Sequence, residues 1–256
     1  MSKSMSVLFV GESCFATTTE FKGVDQFSET NYHESAQIMR NLFEGLGHRF
    51  THIPCHLVAR DFPRDLETLK QYDVVLFSDV GTNTFLLLPE MTRTGKRVTN
   101  LLALVKQYVA EGGGFGMIGG YMTFQGFEAK GKWKDSYIED ILPVNLLTYD
   151  DRVEVPEGAD LVPNQVEHPI LKGMPETWPY VLGYNRLIPK ENAEVLVSFG
   201  KDPIIAVGEY GKGRTLAYAT DCTPHWAPAA MHQWEYYPKL WNNILHWLAR
   251  QESELA

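Results

Sequence analysis

The stretch VTNLLALVKQYVAEGGGFGMIGG, residues 98–120, decides the fold class. Val98, Leu101, Leu102, Val105, Tyr108 and Val109 fall at i, i+3, i+4, i+7, i+10 and i+11, which predicts a helix with one apolar face. Gly112, Gly113 and Gly114 stop that helix, and the apolar run 115–118 follows at once as a buried strand closed by Gly119 and Gly120. A helix that feeds straight into a buried strand is half of a crossover unit. Such units imply a parallel sheet covered by helices on both faces.

Working outward, the same alternation continues toward the N-terminus. Residues 6–10, SVLFV, read as a strand ending at Gly11. Residues 33–46 carry Met39, Leu42, Phe43 and Leu46 at helical spacing and close at Gly47. A weaker strand is expected over 50–54, a short helix over 66–72, and a buried strand over 73–79, DVVLFSD. Beyond residue 120 the character changes. Residues 145–165 hold short β-like pieces punctuated by Pro156, Gly158 and Pro163. Strands at 194–199 and 203–210 lead to the turn Gly211-Lys212-Gly213, and 214–220 pairs back as the second arm of a hairpin. A helix over 236–250, apolar at Tyr237, Leu240, Trp241, Ile244 and Leu248, closes the chain. With no linker or repeat in view, the expectation is one α/β domain over residues 1–256. Its central sheet is mainly parallel, with β-hairpin additions in the second half.

Composition narrows the partners. Among 256 residues, 23 Lys+Arg stand against 32 Asp+Glu, a net charge of −9. That balance argues against a nucleic-acid partner, which demands a basic stripe. Apolar runs such as Phe85-Leu86-Leu87-Leu88 fall far short of the roughly 18 residues a membrane helix needs. Cys14, Cys55 and Cys222 are an odd number without paired spacing, as in a reducing compartment. No signal peptide can be read at the start. The expectation is a cytoplasmic protein that touches neither nucleic acid nor membrane.

Ligands of open parallel sheets bind beyond the carboxyl ends of the strands. That rule selects four loops, which supply Gly11, Glu12 and Ser13; Asp79, Thr82 and Asn83; Gly119, Gly120 and Tyr121; and Asp221, His225 and Trp226. Strand ends are commonly small and polar without any role, and each loop is weighed against that reading. The candidates for acid–base work are His225, Asp221, Tyr121 and Glu12, with Asp79 beside them. Residues 114–119, GFGMIG, match G-x-G-x-x-G but lie before and inside a strand, so no nicotinamide cofactor is expected. Gly211-Lys212-Gly213-Arg214 is a hairpin turn and not a phosphate loop. His52 and His56 are four apart amid strand signals, while His33, His225 and His232 are scattered, so no metal is expected. Cys14 and Cys222 stand in strand-end loops, where the ordinary reading is a small apolar side chain.

Taken together, 112–120 (GGGFGMIGG), 208–215 (GEYGKGRT) and 218–221 (YATD) resemble class I glutamine amidotransferase-like domains. The likeness is to their "putative glutamine amidotransferase" branch, and extends to trehalose-utilisation-type proteins. The resemblance covers most of the chain in the same order. It implies a flavodoxin-like three-layer sandwich and, in active members, a Cys–His–Glu triad with the cysteine at a strand-to-helix elbow. Here the elbow falls on Gly119 or Gly120, which supply amides but no thiol. His225 stands where the family histidine is expected, and Ala227 where active members keep Glu.

Three functions follow as expectations. The first is a protein without glutaminase activity that binds a small polar metabolite or a partner at the strand-end cleft. The second is a hydrolase or isomerase using different acid–base chemistry on a sugar or amide in that cleft. The third is a homo-oligomer with the Trp- and Tyr-rich C-terminal helix as its interface.

Overall fold

The computed structural model describes residues 4–252. Its strands, in chain order, are β1 Ser6–Gly11, β2 Ser13–Lys22, β3 Asp25–Glu34, β4 Arg49–Ile53, β5 Val74–Ser78, β6 Gly114–Ile118 and β7 Val144–Asn145. They continue as β8 Arg152–Asp160, β9 Val162–Pro163, β10 Tyr180–Asn185, β11 Ile188–Pro189, β12 Glu194–Phe199, β13 Asp202–Tyr210 and β14 Gly213–Tyr218. Eight of them form the central sheet, in the order β4-β1-β5-β6-β14-β13-β12-β9. The five from β4 to β14 run parallel, and β13, β12 and β9 extend the sheet by antiparallel pairing. Counted among themselves, the parallel five take the order 2-1-3-4-5 of flavodoxin-type sheets.

The parallel strands β1, β5, β6 and β14 are buried almost throughout because helices cover both faces. On one face, the helix Gln37–Gly45 and the C-terminal helix Tyr237–Leu248 pack together; on the other, the helix Leu101–Ala110 packs beside β14. One apolar cluster runs through both layers from Met5 to Leu248. The helix expected from Val98 starts at Leu101, because the Asn100 side chain caps it by accepting from the Leu102 and Ala103 amides at 3.0 and 3.2 Å. The one expected over 66–72 is a single turn, Leu66–Leu69, capped by Asp65.

Three expectations are corrected. The helix placed over 33–46 begins only at Gln37, because residues 13–34 form a hairpin, β2–β3, that no hydrophobic alternation announces. Gly119-Gly120-Tyr121 does not lead into a helix. A long irregular loop follows, pinned by the buried Trp133, whose indole N–H reaches the Val80 carbonyl at 3.1 Å. Nor is the C-terminal helix an interface: Tyr237, Leu240, Trp241, Ile244, Leu245 and Leu248 are wholly buried within the chain.

Trp241 anchors this helix against Phe43, Tyr218 and Tyr237. Trp241→Ala is expected to lower stability by about 3–5 kcal/mol, read as a fall in the urea midpoint at unchanged m-value.

Candidate functional site

β1, β5, β6 and β14 are neighbours and parallel, so their carboxyl ends line up along one edge of the sheet. The register sets Gly11 beside Ser78, Ser78 beside Ile118, and Ile118 beside Tyr218. The loops after these strands therefore converge, and they leave their strands under strain. Glu12 and Asp79 take φ values of 49° and 42°, and His225 takes 153°, conformations that cost a non-glycine residue about 1–3 kcal/mol. Gly11 has no alternative, since at φ 120° a Cβ would lie 1.7 Å from the Ser78 carbonyl oxygen.

At the base of the cleft, Glu12 is buried, and both of its carboxylate oxygens are engaged. Ser78 Oγ donates to Oε1 at 2.6 Å, and Thr223 Oγ1 lies 3.0 Å from Oε2. Thr223 Oγ1 is also 3.1 Å from Asp221 Oδ1, which accepts the Thr223 amide at 3.0 Å. One hydroxyl proton cannot serve two carboxylates. Burial and the nearby charges of Asp221 and Asp79 push the Glu12 carboxyl well above its usual range. The Thr223 hydroxyl thus stands between the Glu12 and Asp221 carboxylates.

Asp79 turns its carboxylate back over the β6 loop. Oδ1 accepts the Met122 amide at 2.7 Å, and the Tyr121 amide donates to the same carboxylate. Burial and the Asp221 charge nevertheless raise it to about 6. Asp221 also faces His225, with 3.7 Å between Oδ2 and Nδ1, and this pairing raises the imidazole above its ordinary value. The His225 side chain remains 41% exposed. The Tyr121 ring meets it edge-on at 4.5 Å, and the Trp226 ring stacks beside it at 5.3 Å. The imidazole is thus oriented from behind by a carboxylate and held between two aromatic rings, at the mouth of the site.

The backbone amides expected to receive an oxyanion are occupied. Gly119 donates to the Tyr218 and Thr220 carbonyls, and Gly120 to Asn185 Oδ1 at 3.0 Å. Neither glycine has room for a side chain. A Cβ at Gly119 would sit 2.2 Å from the Ala219 carbonyl oxygen, and one at Gly120 2.9 Å from Asp79 Oδ1.

Other expected members fall elsewhere. Ser13 Oγ is spent on the Cys55 amide at 2.8 Å. Thr82 donates to the Gly131 carbonyl at 2.8 Å, and with Asn83 it lines a separate cavity of about 430 Å³ beside Lys132, Lys134 and Tyr137. Cys14 is exposed on β2, opposite His33. Cys222 is buried 3.6 Å from Ser78 Oγ, its thiol raised well above normal by burial, so it is held as a neutral thiol. Its sulfur could join Glu12 and Asp221 around one point, but hydroxyls already occupy both Glu12 oxygens. Cys55, Sγ 3.7 Å from the Asp79 carbonyl, is raised to about 11 by burial.

Sequence reasoning missed the second-half residues that complete the site. Asn185, on β10, also donates to the Gly120 carbonyl and to Asp151 at 3.2 and 2.8 Å. Glu154, on β8, accepts from the Tyr121 hydroxyl at 3.1 Å and the Trp226 indole at 2.9 Å. Arg152 lies over the Tyr121 and Phe127 rings at 4.8 and 4.0 Å. No spacing motif marks them; they arrive through pairing of β8 with β10.

The family described as putative glutamine amidotransferase matches residues 6–250. Cytoplasmic Protein STM1381 from Salmonella typhimurium LT2 is 40% identical with a TM-score of 0.91, over 95% of this chain and 99% of that one. Cytoplasmic Protein STM3548 from Salmonella typhimurium is 38% identical at 0.91, over 94% and 98%. A thua-like protein from Bacteroides uniformis, 15% identical at 0.57 over 97% and 93%, shares the fold. No curated protein matches. No helix among the described residues is long and apolar enough to cross a membrane.

Asp79 carries a direct test of this electrostatic reading. Its value is about 6 in the fold against an ordinary 3.8, so the penalty on its charged form is full above pH 6 and is relieved as pH falls toward 3.8. Asp79→Asn, tolerated at positive φ, is expected to raise the melting temperature at pH 8. The gain should shrink below pH 6 and vanish below about pH 4. An equal or lower melting temperature at pH 8 would contradict it.

Proposed function

The chain belongs to the putative glutamine amidotransferase family, and within it we propose a protein that does not hydrolyse glutamine but binds a small polar metabolite at the strand-end cleft. The observation that carries this reading is the Asp79 carboxylate, which lies where an elbow thiol would stand and takes the Tyr121 and Met122 amides. A glutaminase needs a thiolate that forms an acyl-enzyme and free amides that receive the oxyanion. Here the negative charge on those amides is built in, and it would repel the one that develops.

What remains serves recognition of an uncharged or anionic polar ligand. His225 offers its outer ring nitrogen as a donor while Asp221 holds the inner one, and the Tyr121 and Trp226 rings supply flat walls. The same pair favours the second reading, acid–base chemistry on a sugar or amide, because a carboxylate-backed imidazole can both give and take a proton. The protein acts in the cytoplasm as one unit over 1–256, on a small molecule and not on nucleic acid or membrane. The support is the net charge of −9 and the word cytoplasmic in the names of both Salmonella relatives.

An ammonia-release assay is expected to show no turnover of glutamine above background, for the wild type and for Gly120→Cys alike. Turnover by the wild type would overturn the reading. A thermal-shift screen of polar metabolites should find a stabilising ligand, followed by calorimetry on His225→Ala. Loss of a charge-assisted hydrogen bond is expected to weaken binding about ten- to a hundredfold. Unchanged affinity in that variant would remove His225 from the site.

A further inference from the structure

The hairpin β2–β3 is the largest feature that the cleft does not use. Each strand has ten residues, and every residue from Cys14 to Glu34 is exposed. At about 3.3 Å per residue the ribbon projects roughly 33 Å. An isolated two-stranded ribbon is marginal in water, and both of its edges present unpaired backbone groups.

Its register sorts the side chains onto two faces. Phe15 pairs with Tyr32, Thr17 with Thr30, Thr19 with Ser28 and Phe21 with Gln26, giving a face without charge from Phe15 to the tip. At the root of that face, Phe15 and Tyr32 rest on the chain's own His56 ring at 5.1 and 5.3 Å. Further out, Phe21 is 72% and Val24 fully exposed. The ribbon as a whole, residues 13–34, carries four acidic side chains against one lysine.

A surface of the opposite kind lies at the same end of the sheet. Residues 87–97 join the carboxyl end of β5 to the start of the helix Leu101–Ala110, and the ribbon leaves from the carboxyl end of β1. There Leu87 and Met91 are 53% and 37% exposed. Arg93, Lys96 and Arg97 are exposed too, with no ion pair among the described residues.

We infer that β2–β3 is a dimerisation arm, which each copy lays across residues 87–97 of a second copy of this chain. The acidic, aromatic element and the basic, aliphatic one occupy one end of the same molecule. A two-fold axis facing two such ends together satisfies both contacts twice and closes the assembly. The face that meets the partner is the ribbon's other one, where Glu20 pairs with Phe27 and Asp25 and Glu29 share the same side, so the acids meet Arg93, Lys96 and Arg97 while Phe27 meets Leu87 and Met91.

Light scattering coupled to size exclusion tests this on the intact chain. The wild type is expected at twice its 29.1 kDa chain mass. Removing residues 18–29 and joining Thr17 to Thr30 through an Asn-Gly turn should give a folded monomer. Charge reversal provides an arm of the test that leaves the ribbon intact. Arg93→Glu with Lys96→Glu and Arg97→Glu should weaken the dimer at least tenfold, as should Glu20→Lys with Asp25→Lys and Glu29→Lys. Mixing the two reversed proteins should restore a dimer. A monomeric wild type, a dimeric arm-deleted protein, or reversed proteins that gain nothing on mixing would overturn the inference.

Discussion

The carboxylate of Asp79 on the amides of Tyr121 and Met122 is the contact around which the site is arranged. A carboxylate withdrawn from water needs donors, and these two amides supply them. The same carboxylate ties β5 to the loop that follows β6. It also fixes Gly120 as glycine, because a Cβ there would meet Asp79. The loop that results cannot satisfy itself, and borrowed acceptors hold it. Asn185 takes the Gly120 amide, and Asp151 takes those of Gln125 and Gly126 at 2.9 and 2.8 Å.

Three carboxyl groups, Glu12, Asp79 and Asp221, therefore share one strand-end cleft. Proteins usually neutralise such a cluster with lysine or arginine. Here Arg152, the guanidinium lying over the Tyr121 ring, is bound to Asp150 at 2.7 Å. Burial and the neighbouring carboxylates raise the Glu12 carboxyl, and Asp221 raises the His225 imidazole, so both groups hold a proton more tightly than usual.

Much of this plan was legible in the sequence because it rests on period and position. The helix at 101–110, the strand at 114–118 and the hairpin β13–β14 follow from apolar spacing and glycine stops. The four converging loops follow from the strand-end rule once the sheet is known to be parallel. The ribbon β2–β3 was not legible, since its strands stay exposed beyond Ser13 and so show no buried apolar alternation. Asn185 and Glu154 were equally hidden. Their place depends on how β8 pairs with β10, a pairing with a register shift between Val181 and Gly183 that no local signal encodes. Thr82 and Asn83 show the limit of the rule itself, because a loop can begin at the right strand end and still turn its side chains into a neighbouring cavity.

Family membership fixes the fold of this cleft and leaves its chemistry to the side chains within it. Acyl transfer from glutamine needs a thiolate, free amides for the oxyanion, and an oriented imidazole. Asp221–His225 provides an imidazole beside a carboxylate, while Asp79 holds the Tyr121 and Met122 amides and Asn185 holds that of Gly120. Adding a thiol at Gly120 presses it against Asp79. Removing the Asp79 carboxylate frees the Tyr121 and Met122 amides but supplies no nucleophile, and the Gly120 amide stays with Asn185. Because such units act together, partial repair recovers little of the rate. The fold is shared with the family, whereas the cleft sets an imidazole beside Asp221 at its mouth and glycine at the end of β6.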